Sequence, residues 1–323
     1  MEEPPRISMF GDERPFLAAN VVRSGLTRLE RGRSRFLGFL ALTFMMVPLT
    51  CEATLNVYVS ILPQKHFAER VGGEHVKVSV LVPPGRSPEA YEPTPKQMVR
   101  LAEAEIFFRI GVPFEDRWME KISSLNPRLS IIDLREGLEL RPIDGGTRRS
   151  GRESAEDDHG HSGKDPHIWM NPLAVARMAV TLRNALSQCD PDHREAYRTT
   201  AEGFIHELEE LDREIKDRLQ HVTARDIYIY HPSLGYFADA YGLRQIAIEQ
   251  EGHEPGPKTL QELIEKGRAR GVRAVFVQMN QNPRNAEAVA RALGAQVVLF
   301  DAMAEDYSEN LRSLARILED ILR

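Results

Sequence analysis

Strand-like and helix-like segments alternate twice along this chain. Runs rich in Val, Ile and Phe occupy 54–60, 76–82, 105–110 and 129–133, and amphipathic stretches at 64–71, 94–104 and 114–123 fill three of the gaps. The pattern returns late in the chain, with strand-like runs at 226–230, 244–248, 273–278 and 296–301 and helical stretches at 234–241, 258–270, 284–293 and 305–323. Short apolar strands that alternate with helices call for parallel sheets covered on both faces. Between the halves, 173–187 reads as one helix and 191–220 as a longer one, in which Phe204, Leu208, Leu211, Ile215 and Leu219 recur at spacings of three and four. Asp190 is placed to cap that helix and Pro191 to open it. At about 1.5 Å per residue such a helix spans roughly 45 Å, a strut between two lobes. The expected fold is α/β, with two lobes, each a mostly parallel sheet flanked by helices, joined by a long rigid helix. The expected divisions are 54–189, which contains a His-bearing loop near 144–165, then the linking helix at 190–221, then 222–323.

The beginning of the chain has a different character. Residues 1–35 are polar and Arg-rich, and 36–49 is an apolar run, too short for the roughly 20 residues that span a bilayer as a helix. With Arg31, Arg33 and Arg35 before it and Cys51-Glu52-Ala53 after it, the run reads as a secretory signal peptide cleaved after Ala53, which directs the protein to the periplasm. The long basic region points to a translation start downstream of Met1. Lipid anchoring at Cys51 is not expected, because Thr50 stands where Gly, Ala or Ser would precede a lipidated cysteine. Removing 1–53 takes seven arginines and six acids from the 42 basic and 48 acidic residues, leaving 35 against 42, a net charge of −7. A nucleic-acid partner is not expected of such a chain. Cys189 is the one cysteine beyond the signal region, so neither an internal disulfide nor a four-cysteine zinc site can form.

The chemistry concentrates at 156–172, where His159, His161 and His167 fall close together. The first two lie among acids and glycines with no apolar periodicity, the mark of a polar loop. His167 stands between Pro166 and Ile168-Trp169, on a stiffer seat. In open α/β sheets ligands bind beyond the carboxyl ends of the strands. There the chain offers Glu89 in the proline-rich loop 83–95, His231 before Pro232, and Asp301. Glu89, His167, His231 and Asp301 make a four-ligand set for zinc or another divalent first-row metal. Singly each has a plainer reading: a solvated loop acid for Glu89, a helix cap for Asp301, a buried hydrogen-bonded imidazole for His167.

Several motifs resemble those of the cluster A-I, zinc- and manganese-type substrate-binding proteins of ABC transporters, the relatives of ZnuA and TroA. They are Ile61-Leu62-Pro63-Gln64, the segment from Gly85 to Pro95, Asp165-Pro166-His167-Ile168-Trp169-Met170-Asn171-Pro172, His231-Pro232-Ser233-Leu234-Gly235-Tyr236-Phe237, and Asp301 to Tyr307. The resemblance implies two α/β lobes joined by a long helix, one metal clamped between them, and delivery to a membrane permease driven by a cytoplasmic ATPase. It implies a monomeric binding component and no enzymatic activity. Where the family pattern Gly-x-Ser-Pro-His-x-Tyr-x-Pro has histidine, this chain has Glu89, so ligand type alone does not separate zinc from manganese. Zinc is the expected cargo, with manganese the alternative, since His231 retains the zinc-type residue and the His159/His161 loop is similar to the auxiliary loop of zinc members. A second departure, Gln278-Met279-Asn280-Gln281, has no assigned consequence. The competing readings are a secreted metal-dependent hydrolase and a lipid-anchored adhesin. The chain has neither a His-Glu-x-x-His nor a Gly-x-Ser-x-Gly motif to support the first.

Overall fold

The computed structural model describes residues 54–143, 164–249, 253–279 and 284–323. The expected signal peptide, Cys51, the His159/His161 loop and Asn280-Gln281 lie outside these residues.

The first half contributes β1 (Leu55–Val59), β2 (Val76–Val80), β3 (Ile106–Arg109) and β4 (Ser130–Asp133), all parallel, in the order β2-β1-β3-β4. Around them run α1 (Leu62–Gly72), α2 (Pro95–Leu101) and α3 (Pro113–Leu125). Each of these three helices opens with proline at one of its first two positions, where the missing N–H costs no helical hydrogen bond. The second half repeats the plan with β5 (Asp226–Ile229), β6 (Arg244–Ala247), β7 (Ala274–Gln278) and β8 (Gln296–Phe300), again parallel, in the order β6-β5-β7-β8. The helices here are α6 (Gly235–Ala240), α7 (Pro257–Ala269), α8 (Arg284–Leu293) and α9 (Tyr307–Leu322). In both sheets the first strand of the half lies inside and its successor at an edge. Each sheet therefore has a point where the chain reverses direction along the strand order, and there the strand ends open into a crevice.

Strand periodicity divides β7 between two cores. Ala274 and Phe276 enter the main apolar core, which both sheets share, whereas Val275 and Val277 pack with Val289 and Ala290 of α8. A near-continuous apolar run is the sequence signature of a strand buried on both faces.

Between the halves lie α4 (Pro172–Cys189) and α5 (Arg194–Leu219). Phe204, Leu208, Leu211, Ile215 and Leu219 form the buried stripe of α5, which packs against α1, α4 and α9. The entry to α5 runs through a 3-10 turn, Pro191–His193, with Asp190 at its N-cap position and Pro191 first after it, as expected. The Asp190 carboxylate is also taken by the His193 ring at 2.6 Å and the Tyr197 hydroxyl at 2.7 Å. Burial raises that carboxyl, but Tyr197 and His193, through its ring and its backbone N–H, hold it below the usual carboxylate range.

Candidate metal centre

Glu89 stands on the loop after β2, and the first sheet fixes that loop from below. Gln97 donates to the carbonyl of Leu81 at 2.7 Å and accepts from the Tyr91 hydroxyl at 2.8 Å. The amino end of α3 reaches the same loop, with Phe114 N–H on the carbonyl of Pro88 and Arg117 on the carbonyl of Glu89 at 2.8 Å. Glu115, fully buried, anchors this end of α3 by accepting from the Ser60 hydroxyl, the N–H groups of Ile110 and Gly111, and Arg109. Burial nevertheless raises the Glu115 carboxyl above its ordinary range, against the pull of those donors.

His167 sits where Asp165-Pro166 turns into the 3-10 segment Ile168–Met170. Asn171 then caps α4, its side-chain oxygen accepting from Leu173 N–H at 2.9 Å. Asp165 Oδ1 accepts both the His167 backbone N–H at 2.9 Å and the ring Nδ1 at 2.8 Å, while its Oδ2 takes Arg141 at 3.0 Å. A carboxylate on Nδ1 leaves Nε2 as the lone-pair nitrogen of a neutral ring, the form in which histidine coordinates metals. Burial pushes the Asp165 carboxyl up, but His167 and Arg141 outweigh it and hold the group below the usual carboxylate range. The seat is tied to the second half of the chain as well. The Trp169 indole N–H donates to the carbonyl of Ala302, and the Tyr307 hydroxyl to the carbonyl of Trp169, each at 2.8 Å.

His231 follows β5 and is buried. Its Nε2 lies 2.7 Å from Glu89 Oε1 and its Nδ1 3.4 Å from Glu249 Oε1. Burial disfavours the charged ring, yet Glu249 and Glu89 reverse that and push His231 up to about 9. Burial likewise raises Glu89, and His231 with His167 overcomes it, holding the carboxyl below its ordinary value. The two rings are 5.3 Å apart, centroid to centroid. One ligand atom from each of Glu89, His167 and His231 lies within 4.8 Å of the others, and among the described residues no other group of three or more His, Cys, Asp or Glu residues comes so close.

Three of the four expected ligands therefore meet, and Asp301 is not among them. It follows β8 as its strand-end position requires, one residue before the Ala302 carbonyl that holds Trp169. Its Oδ1 accepts from Met303 N–H at 2.9 Å and its carbonyl from Asn310 at 2.8 Å, bonds that shape the turn into α9. Asp165 and Glu249, which back the two imidazoles, were not among the expected site residues. Asp165 is the first residue of the Asp-Pro-His motif, and the strand-end rule applied to β6 would have reached Glu249.

Residues 57–321 match the family model described as zinc-uptake complex component A, periplasmic. The chain belongs to this family. A crystal structure of ZnuA superposes with a TM-score of 0.76 at 36% sequence identity, over 84% of this chain and 100% of that one. Zinc-binding lipoprotein AdcA of Streptococcus pneumoniae is 23% identical over 268 residues, 81% of this chain and 52% of the relative, so the chain spans about half of AdcA. Manganese-binding lipoprotein MntA of Halalkalibacterium halodurans is 26% identical over 233 residues, 71% of this chain and 72% of the relative. Membership gives the motif resemblance its basis, and the two-sheet architecture with a long helix between is that of the family's ZnuA structure.

Proposed function

We propose that this protein is an extracytoplasmic solute-binding protein that takes one divalent transition metal ion, zinc foremost, at Glu89, His167 and His231. It passes the ion to a membrane permease powered by a cytoplasmic ATPase. The observation that carries this reading is the convergence of two buried, carboxylate-backed imidazoles and one carboxylate, with Glu89 from the loop after β2, His231 from the end of β5 and His167 from the turn that leads into α4. Two nitrogen donors and an oxygen donor suit a tetrahedral zinc ion, whose ligand atoms stand at about 2.0–2.2 Å and hence roughly 3.3 Å from one another. The Glu89–His231 contact has to open by about 0.6 Å to admit such an ion. A tetrahedral ion held by these three residues would keep one position open to water.

The zinc reading draws on the family description, on the zinc named for AdcA, and on the affinity order that puts zinc above manganese at a nitrogen-containing site. Manganese is the second reading, favoured by Glu89 in place of histidine and by MntA among the relatives. The role is carriage rather than catalysis. Asp165 and Glu249, the buried acids next to the cluster, stand behind the imidazoles and orient them. Export to the periplasm through a signal peptide in 1–53, and auxiliary metal capture by His159 and His161, complete the proposal. Metal analysis of the mature protein purified without chelators, followed by competition between zinc and manganese, tests it. One zinc per chain that manganese does not displace at equal concentration is expected; a chain that retains neither metal overturns the reading.

A further inference from the structure

The metal cluster lies beyond the carboxyl ends of the strands. At the other end of the second sheet, residues at the amino ends of β5, β6 and β7 line a cavity of about 220 Å³. Its charged lining is Arg225, Asp226, Arg244, Arg270 and Arg273. Asp226 holds two of these cations, with Oδ1 on Arg244 Nε and Oδ2 on Arg270 Nη1, each at 2.7 Å. Arg225 donates to the carbonyls of Leu219 and Gln220 at 3.4 Å, and Arg273 to a carboxylate oxygen of the terminal residue Arg323. The two peptide carbonyls carry no net charge, so four guanidinium groups face two carboxylates, Asp226 and that of Arg323, and cations remain in excess. The surplus is opposite in sign to the net charge of the chain as a whole.

A guanidinium presents five N–H donors in a planar fork, and each here uses part of that set on the partners just named. Forks gathered round one cavity match the oxygens of a phosphate, which accept two at a time and return charge-assisted hydrogen bonds. Beneath the arginines the floor is apolar and includes Phe276 and Leu322. Such a floor suits carbon attached to a phosphate better than a fully hydrated ion. We propose that this cavity is an anion site for the phosphate class, filled by free phosphate or by the phosphate of an organic ester such as a lipid headgroup. With the metal at one end of the sheet and the anion at the other, both ligands can be held together.

Calorimetric titration of the mature, metal-free protein with inorganic phosphate at constant ionic strength tests the site. Saturable binding is expected, weakened at least tenfold in an Arg270→Gln, Arg273→Gln double variant that still binds zinc like the parent. Arg244 continues to pair Asp226 in that variant, so unchanged zinc binding reports an intact fold. Co-sedimentation with phosphatidylglycerol vesicles separates the sources. Retention competed off by phosphate assigns the lipid headgroup, and phosphate binding without retention assigns the free anion. Absence of both, or a double variant that binds phosphate as the parent does, overturns the proposal.

Discussion

Nε2 of His231 lies 2.7 Å from Oε1 of Glu89, so a ring carried by the second sheet and a carboxylate carried by the first are in contact across the candidate site. Glu249 flanks the other ring nitrogen, and His231 is raised to about 9 between the two acids. A protonated imidazole therefore holds these loops together at neutral pH, and a metal ion has to replace its proton.

The first consequence is a pH dependence whose sign follows from that displacement. A proton bound with a pKa of about 9 competes with zinc throughout the neutral range, so apparent zinc affinity should rise about tenfold per pH unit from pH 6 to 8, with one proton released. For the metal-free protein the sign is opposite. The pKa is raised in the folded state, so the charged ring stabilises the fold fully below about 6.5 and ceases to do so as pH rises through about 9. Competitive zinc titration at three pH values and thermal melts of metal-free protein measure the two effects; a flat affinity profile counts against His231 as a ligand.

His167→Ala and His231→Ala should each weaken zinc by about a hundredfold or more, because removal of a direct ligand costs at least as much as removal of the group behind it. Asp165→Asn keeps the shape but loses the carboxylate on His167 Nδ1, and should cost about 10- to 100-fold. Chelator competition measures all three. An alanine variant with the parent's affinity removes that residue from the site.

Glu89→Ala should weaken zinc and manganese together. Glu89→His should instead raise the zinc-to-manganese affinity ratio, since imidazole is the softer donor. If Glu89→Ala binds both metals like the parent, the carboxylate is a bystander that pairs with His231.

Asp301→Ala should leave zinc affinity within about threefold of the parent, because Asp301 shapes a turn outside the three-residue cluster. Loss of its bond to Met303 N–H should cost about 1 kcal/mol of stability. A drop in zinc affinity beyond tenfold would show that Asp301 moves in as the fourth ligand.

Trp169→Phe keeps the ring in the core but strands the buried carbonyl of Ala302, at a cost of about 1–3 kcal/mol. Urea unfolding measures it, and a midpoint equal to the parent's would mean that water takes the place of the indole N–H.

Most of the architecture was legible in the chain itself. Apolar runs such as 274–278 and the three- and four-residue spacing on α5 are local patterns, and strands buried on both faces that alternate with helices suit a parallel sheet. The Asp-Pro-His and His-Pro motifs marked His167 and His231 because each combines a ligand with a stiff neighbour. Tertiary structure decided what depends on approach between distant segments. It put Glu89 against His231, set Asp165 and Glu249 behind the rings, and left Asp301 engaged in a turn. It also added the His193 ring and the Tyr197 hydroxyl to the partners of Asp190 at the entry to α5. A carboxylate in a loop has the same local sequence signature whether it faces a metal, an imidazole or a backbone N–H. Only the fold determines which of those partners comes within about 3 Å, where a hydrogen bond or a coordinate bond can form.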